Sequence, residues 1–368
     1  MFSEKISLNN LSVPPIFRQK YIPSLNGLRA LSILFVLIGH SKFVTNSPAC
    51  FIFIERYIVH MGFGVQMFYV ISGFLITGLL LKEKAEHGHI NLKNFYIRRA
   101  YRIFPVAFLF ILTILLLKLF GVLYVSTRDL VCSATYVVDF LSPSTRSWFI
   151  GHLGTLSIEE QFYLLWPLAL LFLPKRYYFI IIFIVLYYAM LTTWLYYHPQ
   201  NSPLFLLKGL LLTAPALLCG ALLAVGMFKG WFNSIHKILI HPLTAFSFIL
   251  ALAAYLPATF LVAGFYSVPF DFLLSNVFVA IFIYNVIHSS SNNIIYKFLN
   301  HPILNFIGIL SYSIYIWQQP FFAPPSAAYL VHAWWAFFPQ NFILTFLVAT
   351  ISYFTVEKAF LRIKKRYH

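Results

Sequence analysis

The first residues that could do chemistry are an arginine and a histidine in one apolar stretch, residues 24–41. His40 follows Arg29 by eleven positions, and since three helical turns take about 10.8 residues, both side chains point to one face, roughly 16 Å apart. An ionisable residue inside a membrane span is a functional candidate by default, and a neutral imidazole can act as a base near pH 7. A core histidine that is hydrogen-bonded to a neighbouring helix explains the pattern equally well.

Two neighbouring carboxylates, Glu159 and Glu160, begin another apolar run in TLSIEEQFYLLWP, although the chain has only ten acidic residues among 368. Ser157 and Glu160 match the capping box S-x-x-E, in which each side chain binds a free backbone N–H at a helix start. This interpretation explains Glu160 and predicts that a helix begins here. Glu159 lies on a different face, where it is either an acid favoured by the helix dipole or a group that orients a base.

Three arginines precede a third apolar run in FYIRRAYRIFP, at positions Arg98, Arg99 and Arg102. On a helix Arg98 and Arg102 share a face, and Arg99 and Arg102 nearly do. Guanidinium groups bind phosphate in bidentate fashion, so this cluster is a candidate anion site. Ordinary anchoring to anionic lipid headgroups explains the same pattern, and composition alone favours it.

A small and polar stripe runs along one helix face in GILSYSIYIWQQP, and its members are Gly308, Ser311, Tyr315 and Gln318. Small residues also let helices pack closely in lipid, which is the better interpretation for Gly308 and Ser311. The three cysteines and twelve histidines show no spacing typical of metal ligands, so no metal site is predicted.

The elements that must position these residues are membrane helices. The chain is 60% hydrophobic and 10% charged, whereas soluble domains have about a quarter charged residues. Long apolar segments in lipid must be helices, so the predicted fold is an all-α integral membrane protein. Ten spans are predicted: 25–44, 62–81, 103–125, 155–173, 178–196, 204–227, 238–256, 268–288, 303–321 and 330–356.

The positive charges predict the orientation of these spans. With the N-terminus in the cytoplasm, twenty of the 26 Lys and Arg residues fall in inside segments, as the positive-inside rule expects. The prediction is therefore a cytoplasmic segment 1–24, a membrane domain 25–356 and a basic cytoplasmic tail 357–368, with both termini inside. The net charge of +16 is assigned to orientation rather than to nucleic acid. Residues 126–154 are too short and polar to cross, and are expected to form an outer or re-entrant segment.

Taken together, these stretches resemble the membrane-bound acyltransferase 3 family over residues 21–355. The matching stretches are LNGLRALSILFVLIGHS, GFGVQMFYVISGFLITGLLL, NFYIRRAYRIFP, LGTLSIEEQFYLLWP and LSYSIYIWQQP. The resemblance implies a ten-span domain that O-acylates extracytoplasmic glycans, in the cytoplasmic (inner) membrane of a bacterium.

The resemblance also implies roles for particular residues. The family pairs an arginine with a histidine in its first span, here Arg29 and His40. Its R-x-x-R pair corresponds to Arg99 and Arg102. Its S-L-S-x-E-x-Q element corresponds to a stretch that includes Ser157, Glu159 and Gln161, and so singles out Glu159. Family members often have a histidine where this chain has Gln318, and an amide cannot act as a base at pH 7. Tyr315 and Gln318 are therefore supporting candidates.

The implied reaction takes an acyl group, most often acetyl, from cytoplasmic acyl-CoA to a hydroxyl of a glycan or lipid-linked saccharide, such as O-antigen or exopolysaccharide. No tightly bound cofactor is expected. In this hypothesis His40 is the base, and Glu159 orients the acceptor or pairs with His40. The phosphate ligands are Arg29, Arg98, Arg99 and Arg102. The competing interpretation is a transporter or flippase, in which buried charges line a path and no bond changes.

Overall fold

The computed structural model describes residues 12–19, 21–142, 145–172, 179, 181–187, 190–191, 208–255, 269–327, 329 and 331–367. This part of the chain is helical and contains no β-strand, so the predicted all-α class is confirmed. The long helices are α1 (Leu25–Ser41), α2 (Met61–His87), α3 (Leu92–Leu119), α4 (Leu153–Phe172), α5 (Lys208–Lys229), α6 (Pro269–His288), α7 (Pro302–Phe321) and α8 (Gln340–Ser352). The short α-helices are Pro15–Arg18, Ala49–Tyr57, Thr127–Ala134, His236–Leu239, Ser247–Tyr255, Ile294–Leu299 and Lys358–Lys364.

Three helices among the described residues are long and apolar enough to cross a membrane. They are Met61–His87, Leu92–Leu119 and the continuous helix Gln340–Lys364. Shorter apolar helices lie at several other predicted spans, whereas most of the predicted span 178–196 falls outside the described residues. The count of ten spans and the cytoplasmic position of both termini stay predictions.

The last predicted span, 330–356, is wrong at both ends. Its helix begins only at Gln340, because Pro339 disfavours helical geometry at the residue before it. The helix then continues through a π-helical turn, Tyr353–Glu357, and on to Lys364. The predicted tail 357–368 therefore packs on α3: the Tyr101 ring stacks on the Tyr367 ring with 5.8 Å between centroids.

Helix α2 lies at the centre of the bundle. In its most apolar stretch of 18 residues, 72% is buried inside the protein, whereas the corresponding stretch of α3 is 28% buried. It packs backbone to backbone on α5, since a Cβ atom added at Gly73 would lie 1.9 Å from the Leu217 carbonyl oxygen, and one at Gly220 would lie 2.0 Å from that of Val70. Small residues permit such close approach in lipid, where dispersion contacts replace the hydrophobic effect between helices.

Helix α1 is held in the same way. A Cβ atom at Gly308 of α7 would lie 1.9 Å from the Asn26 carbonyl oxygen, so the packing interpretation of Gly308 is confirmed. On its other side α1 packs against α2. The helix that carries Arg29 and His40 is thus enclosed between two neighbours.

We expect Gly220→Ala to lower the amount of folded protein, because the new methyl group would overlap the Val70 backbone. Overpacking of this kind costs about 1–3 kcal/mol or more. The matched control is Gly226→Ala on the same helix, where the nearest atoms, at 2.6 Å, belong to the edge of the Phe232 ring, which can move. Membrane abundance and the melting temperature in detergent measure both variants. If the two variants have the same abundance and melting temperature, the close approach of α2 and α5 does not limit the stability of the fold.

The segment 126–154 contains short elements only, and no single helix in its described part could cross a membrane. The short elements that precede α4 in this segment are the α-helix Thr127–Ala134 and the 3₁₀ turns Val138–Phe140 and Trp148–Ile150. The two 3₁₀ turns pack against α4 and α7. The segment therefore lies over one end of the helices that carry Glu159 and Tyr315, and its depth in the membrane stays a prediction.

Candidate functional site

An inner cavity of about 100 Å³ lies between helices α1, α2, α3, α4 and α7. The polar residues around it that matter most here are Arg29, Arg99, Arg102, Glu159, Tyr163 and Tyr315. The structure thus brings together the arginine of the first span, the R-x-x-R pair and the carboxylate of the fourth span. The sequence hypothesis grouped Arg29 with Arg99 and Arg102 as phosphate ligands, but it placed Glu159 with the acceptor or with His40.

The three guanidinium groups of the inner cavity keep their donors available. Within the described part of the chain, Arg29, Arg99 and Arg102 make no hydrogen bond or ion pair, and Arg99 stacks over the Tyr163 ring at 4.6 Å. Each guanidinium carries five N–H donors and no acceptor. A group with several anionic oxygens is the ligand that such a cluster fits.

Glu159 is the carboxylate of the inner cavity. It accepts hydrogen bonds from Ser72 and Tyr163, and its charge acts on Arg29 and Arg99. The described residues show no hydrogen bond or ion pair between Glu159 and His40. Glu159 therefore lies with the arginines, and it anchors the tyrosine on which Arg99 stacks.

The capping-box interpretation of Ser157 and Glu160 is wrong, because α4 begins at Leu153 rather than at Ser157. The Ser157 hydroxyl, already one turn inside the helix, donates to the Leu153 carbonyl at 2.8 Å and accepts from the Val138 amide at 3.3 Å. Gln161 donates to Asp139 at 3.0 Å. Ser157 and Gln161 thus bind the 136–139 turn to α4 and do not line the inner cavity.

Arg98 does not join Arg102, contrary to the expected shared face. Its guanidinium is turned to an ion pair with Glu83 at 2.9 Å and to the Tyr367 carbonyl at 2.8 Å. There it lines an outer cavity of about 740 Å³. This outer cavity shares Arg99 and Leu75 with the inner cavity, so the two spaces adjoin.

Positive side chains surround the outer cavity, and they come from segments predicted to face one side of the membrane. They are Arg18, Lys82, Arg98, Arg99 and Lys364. Two carboxylates, Glu83 and Glu86, line the cavity as well and pair with Arg98 and Lys82. Its volume is in the range of sites for small molecules and cofactors. The helix ends that the positive-inside rule placed in one compartment therefore meet around one cavity.

His40 lies apart from the arginines and does not line the inner cavity. Its ring meets the Trp148 ring edge to face at 5.8 Å, and Gln318 and His152 are its polar neighbours. The Nδ1 atom of His40 is buried and has no hydrogen-bond partner in the described part of the chain. An imidazole with an unused nitrogen can accept a proton from a bound group.

Tyr315 stands at the boundary between the two groups. It lines the inner cavity, and its hydroxyl group bonds to Thr155 and donates to the His152 carbonyl at 3.1 Å. Its ring lies 5.6 Å from the His152 ring. Tyr315 and Thr155 thus close the inner cavity on the side of His40.

Two residues at these places were missed by sequence reasoning. His152 is 5% exposed beside His40, and its only signal was a histidine just before the TLSIEE stretch. Glu357 is 2% exposed near Arg102. The sequence signal that could have identified it is a carboxylate at the end of an apolar run in a chain with only ten acidic residues. It was assigned instead to the tail.

The fold and site define a helical protein with helices apolar enough to span a membrane and a cavity lined by three arginines. The sequence model of the acyltransferase 3 family, described as an acyltransferase domain, matches residues 22–356. The chain belongs to this family.

Curated relatives carry names of the same kind. The chain is 30% identical to "Peptidoglycan O-acetyltransferase OatA" of Listeria monocytogenes over 83% of its own length and 50% of that protein. It is 29% identical to "Putative O-acetyltransferase" of Staphylococcus aureus (strain COL), over 93% of its own length and 58% of that protein. The chain spans about half the length of these relatives. No solved structure matches it.

Proposed function

We propose that the chain transfers an acyl group, most often acetyl, from acyl-CoA to a hydroxyl group of a cell-envelope glycan. The observation that carries this proposal is the inner cavity, where Arg29, Arg99 and Arg102 present guanidinium donors that have no acceptor among the described residues. A transporter does not need such a cluster of arginines together with a buried histidine, His40, whose Nδ1 atom has no hydrogen-bond partner among the described residues. Family membership supports the same reaction class.

The donor enters through the outer cavity in this proposal. Coenzyme A carries a diphosphate and a 3′-phosphate on its nucleotide end, and the cations around the outer cavity suit them. The shared residue Arg99 then leads from the nucleotide end to the inner cavity, into which the pantetheine arm extends. Since the inner cavity is only about 100 Å³, the side chains around it must move before the thioester can reach His40, and Tyr315 is the side chain in the way.

His40 acts as the general base. It takes the proton from the acceptor hydroxyl while the hydroxyl oxygen attacks the thioester carbonyl carbon, so that a C–O bond forms and the C–S bond breaks. The proton then passes from His40 to the departing thiolate, which leaves as coenzyme A, and the ester stays on the acceptor. His152 lies close enough to His40 for the charges of the two rings to interact.

Glu159 has a donor-side role in this scheme. Its bonds to Ser72 and Tyr163 fix the Tyr163 ring, and that ring supports Arg99 by a cation–π contact. Glu159 is thus a positioning residue that holds Arg99 ready to bind phosphate. The sequence hypothesis had instead let Glu159 orient the acceptor or pair with His40.

The acceptor is a polysaccharide in this proposal, and the names of the relatives favour peptidoglycan over lipopolysaccharide. The sequence hypothesis of O-antigen or exopolysaccharide remains within the same chemical class. The cytoplasmic membrane of a bacterium is the location that fits a cytoplasmic donor and an external acceptor.

The test is ester formation. Membranes that contain the protein, given acetyl-labelled acetyl-CoA and peptidoglycan fragments, are expected to yield label that is bound to glycan and released by mild alkali. Matched membranes without the protein should yield none. Label that crosses the membrane without forming an alkali-labile ester would favour transport, and would overturn the proposal.

A further inference from the structure

A buried carboxylate, Glu357, faces the arginine cluster from the C-terminal helix, outside every role assigned above. It is 2% exposed and is the last residue of the π-helical turn Tyr353–Glu357. Single π-helical turns inside α-helices are frequent at functional sites. They also change the direction in which following side chains point, because each residue of an uninterrupted α-helix turns by about 100°.

Glu357 is held close to the arginines without binding them. The Ser313 hydroxyl of α7 donates to its Oε2 atom at 2.7 Å. The positive charges that act on Glu357 are those of Arg102 and Arg29, yet no ion pair within 4.0 Å joins it to either in the described part of the chain. The π-helical turn packs against α3, which carries Arg102.

This placement solves a problem of charge. Three guanidinium groups are costly to place in a low-dielectric interior, and the inner cavity holds a single carboxylate among the described residues, Glu159, to offset them. A direct ion pair would remove that cost but would occupy the donors that a phosphate needs. A carboxylate that makes no direct ion pair still compensates the charge through space, since the Coulomb term falls only as the inverse of distance.

We propose that Glu357 is the resident counter-ion of two arginines that line the inner cavity. It compensates Arg102 and Arg29 when no phosphate is bound and competes with the phosphates of coenzyme A when they arrive. The proposal rests on the proposed function. Its consequence is that Glu357 weakens the binding of both donor and released coenzyme A, and so speeds product release.

Glu357→Gln tests this inference, because an amide can still accept the Ser313 hydrogen bond but carries no charge. We expect the purified variant to bind coenzyme A about fivefold more tightly than wild type, which corresponds to roughly 1 kcal/mol. Pyrophosphate should show the same change, and product inhibition by coenzyme A should be stronger. Without ligand, the melting temperature of the variant should be lower.

The matched control is Glu55→Gln, which removes another buried carboxylate, 6% exposed, that pairs with Lys42 at 2.6 Å. It should lower the melting temperature and leave coenzyme A affinity unchanged. Ser313→Ala keeps the charge of Glu357 and should also leave affinity nearly unchanged. If Glu357→Gln binds coenzyme A equally or more weakly, Glu357 is a structural or orienting group and the inference is overturned. If wild type binds neither coenzyme A nor pyrophosphate, the donor site itself is wrong, and the inference falls with it.

Discussion

His40→Gln should reduce glycan acylation by about 10²–10⁴-fold, the contribution that a positioned general base typically makes. Glutamine approximates the shape of the imidazole and keeps a polar group beside Trp148 and Gln318, but an amide cannot take a proton at neutral pH. The loss should appear in kcat, and coenzyme A binding should stay unchanged. Ester formation at saturating acetyl-CoA measures the first, and direct binding measures the second.

His332→Gln is the control for this experiment. His332 is exposed, and among the described residues its ring contacts only the Phe337 ring, so its replacement should leave acylation unchanged. If His40→Gln retains more than a few per cent of wild-type turnover at normal abundance, His40 is not the base, and His152 becomes the next group to test.

Arg102→Ala should raise the KM for acetyl-CoA by about 10–100-fold, because it removes charge-assisted hydrogen bonds to phosphate that contribute roughly 1.5–3 kcal/mol. Its guanidinium lines the inner cavity and has no hydrogen-bond partner in the described part of the chain. The KM for the glycan acceptor should change little. Initial rates at varied donor and at varied acceptor concentrations separate the two effects.

Lys93→Ala on the same helix is the matched control, since Lys93 is exposed and lines neither cavity. It should leave both KM values unchanged. If the rate of the Arg102→Ala enzyme depends on donor concentration as in wild type, Arg102 does not bind a donor phosphate. Anchoring to anionic lipid headgroups would then be the better interpretation of the arginine cluster.

Most helices could be predicted because apolar length is a local property. The predicted start of the first span, residue 25, is also the first residue of α1, Leu25–Ser41. The predicted helix boundaries were wrong where a single residue was misread or overlooked. Ser157 looked like a cap, but the turn before it was already helical, and Pro339 moved the start of the last helix to Gln340.

The site was predictable in its parts and not in its arrangement. Arg29, Arg99, Arg102 and Glu159 stood out because charge is rare in this chain. Which of them meet depends on how five helices rotate against one another, and single-helix periodicity carries no information about that. Arg98 illustrates the limit: its partner Glu83 lies on α2, so no pattern within FYIRRAYRIFP could show that it turns away.

Glu357 and His152 were missed for a related reason. Glu357 follows the predicted end of a span, and only the π-helical turn brings it back towards Arg102. His152 lies in a loop before α4, and its closeness to His40 depends on the fold of residues 126–154. Both are long-range contacts that local sequence cannot specify.

The closure formed by Tyr315 and Thr155 also bears on the energy supply of the cell. A reaction centre reached from both compartments would, if permanently open, let protons run down the electrochemical gradient that drives ATP synthesis. The Tyr315 hydroxyl, bonded to Thr155 and to the His152 carbonyl, keeps the inner cavity shut towards His40 at rest. Under the proposed function, this closure would let the protein stay idle in an energised membrane without discharging it.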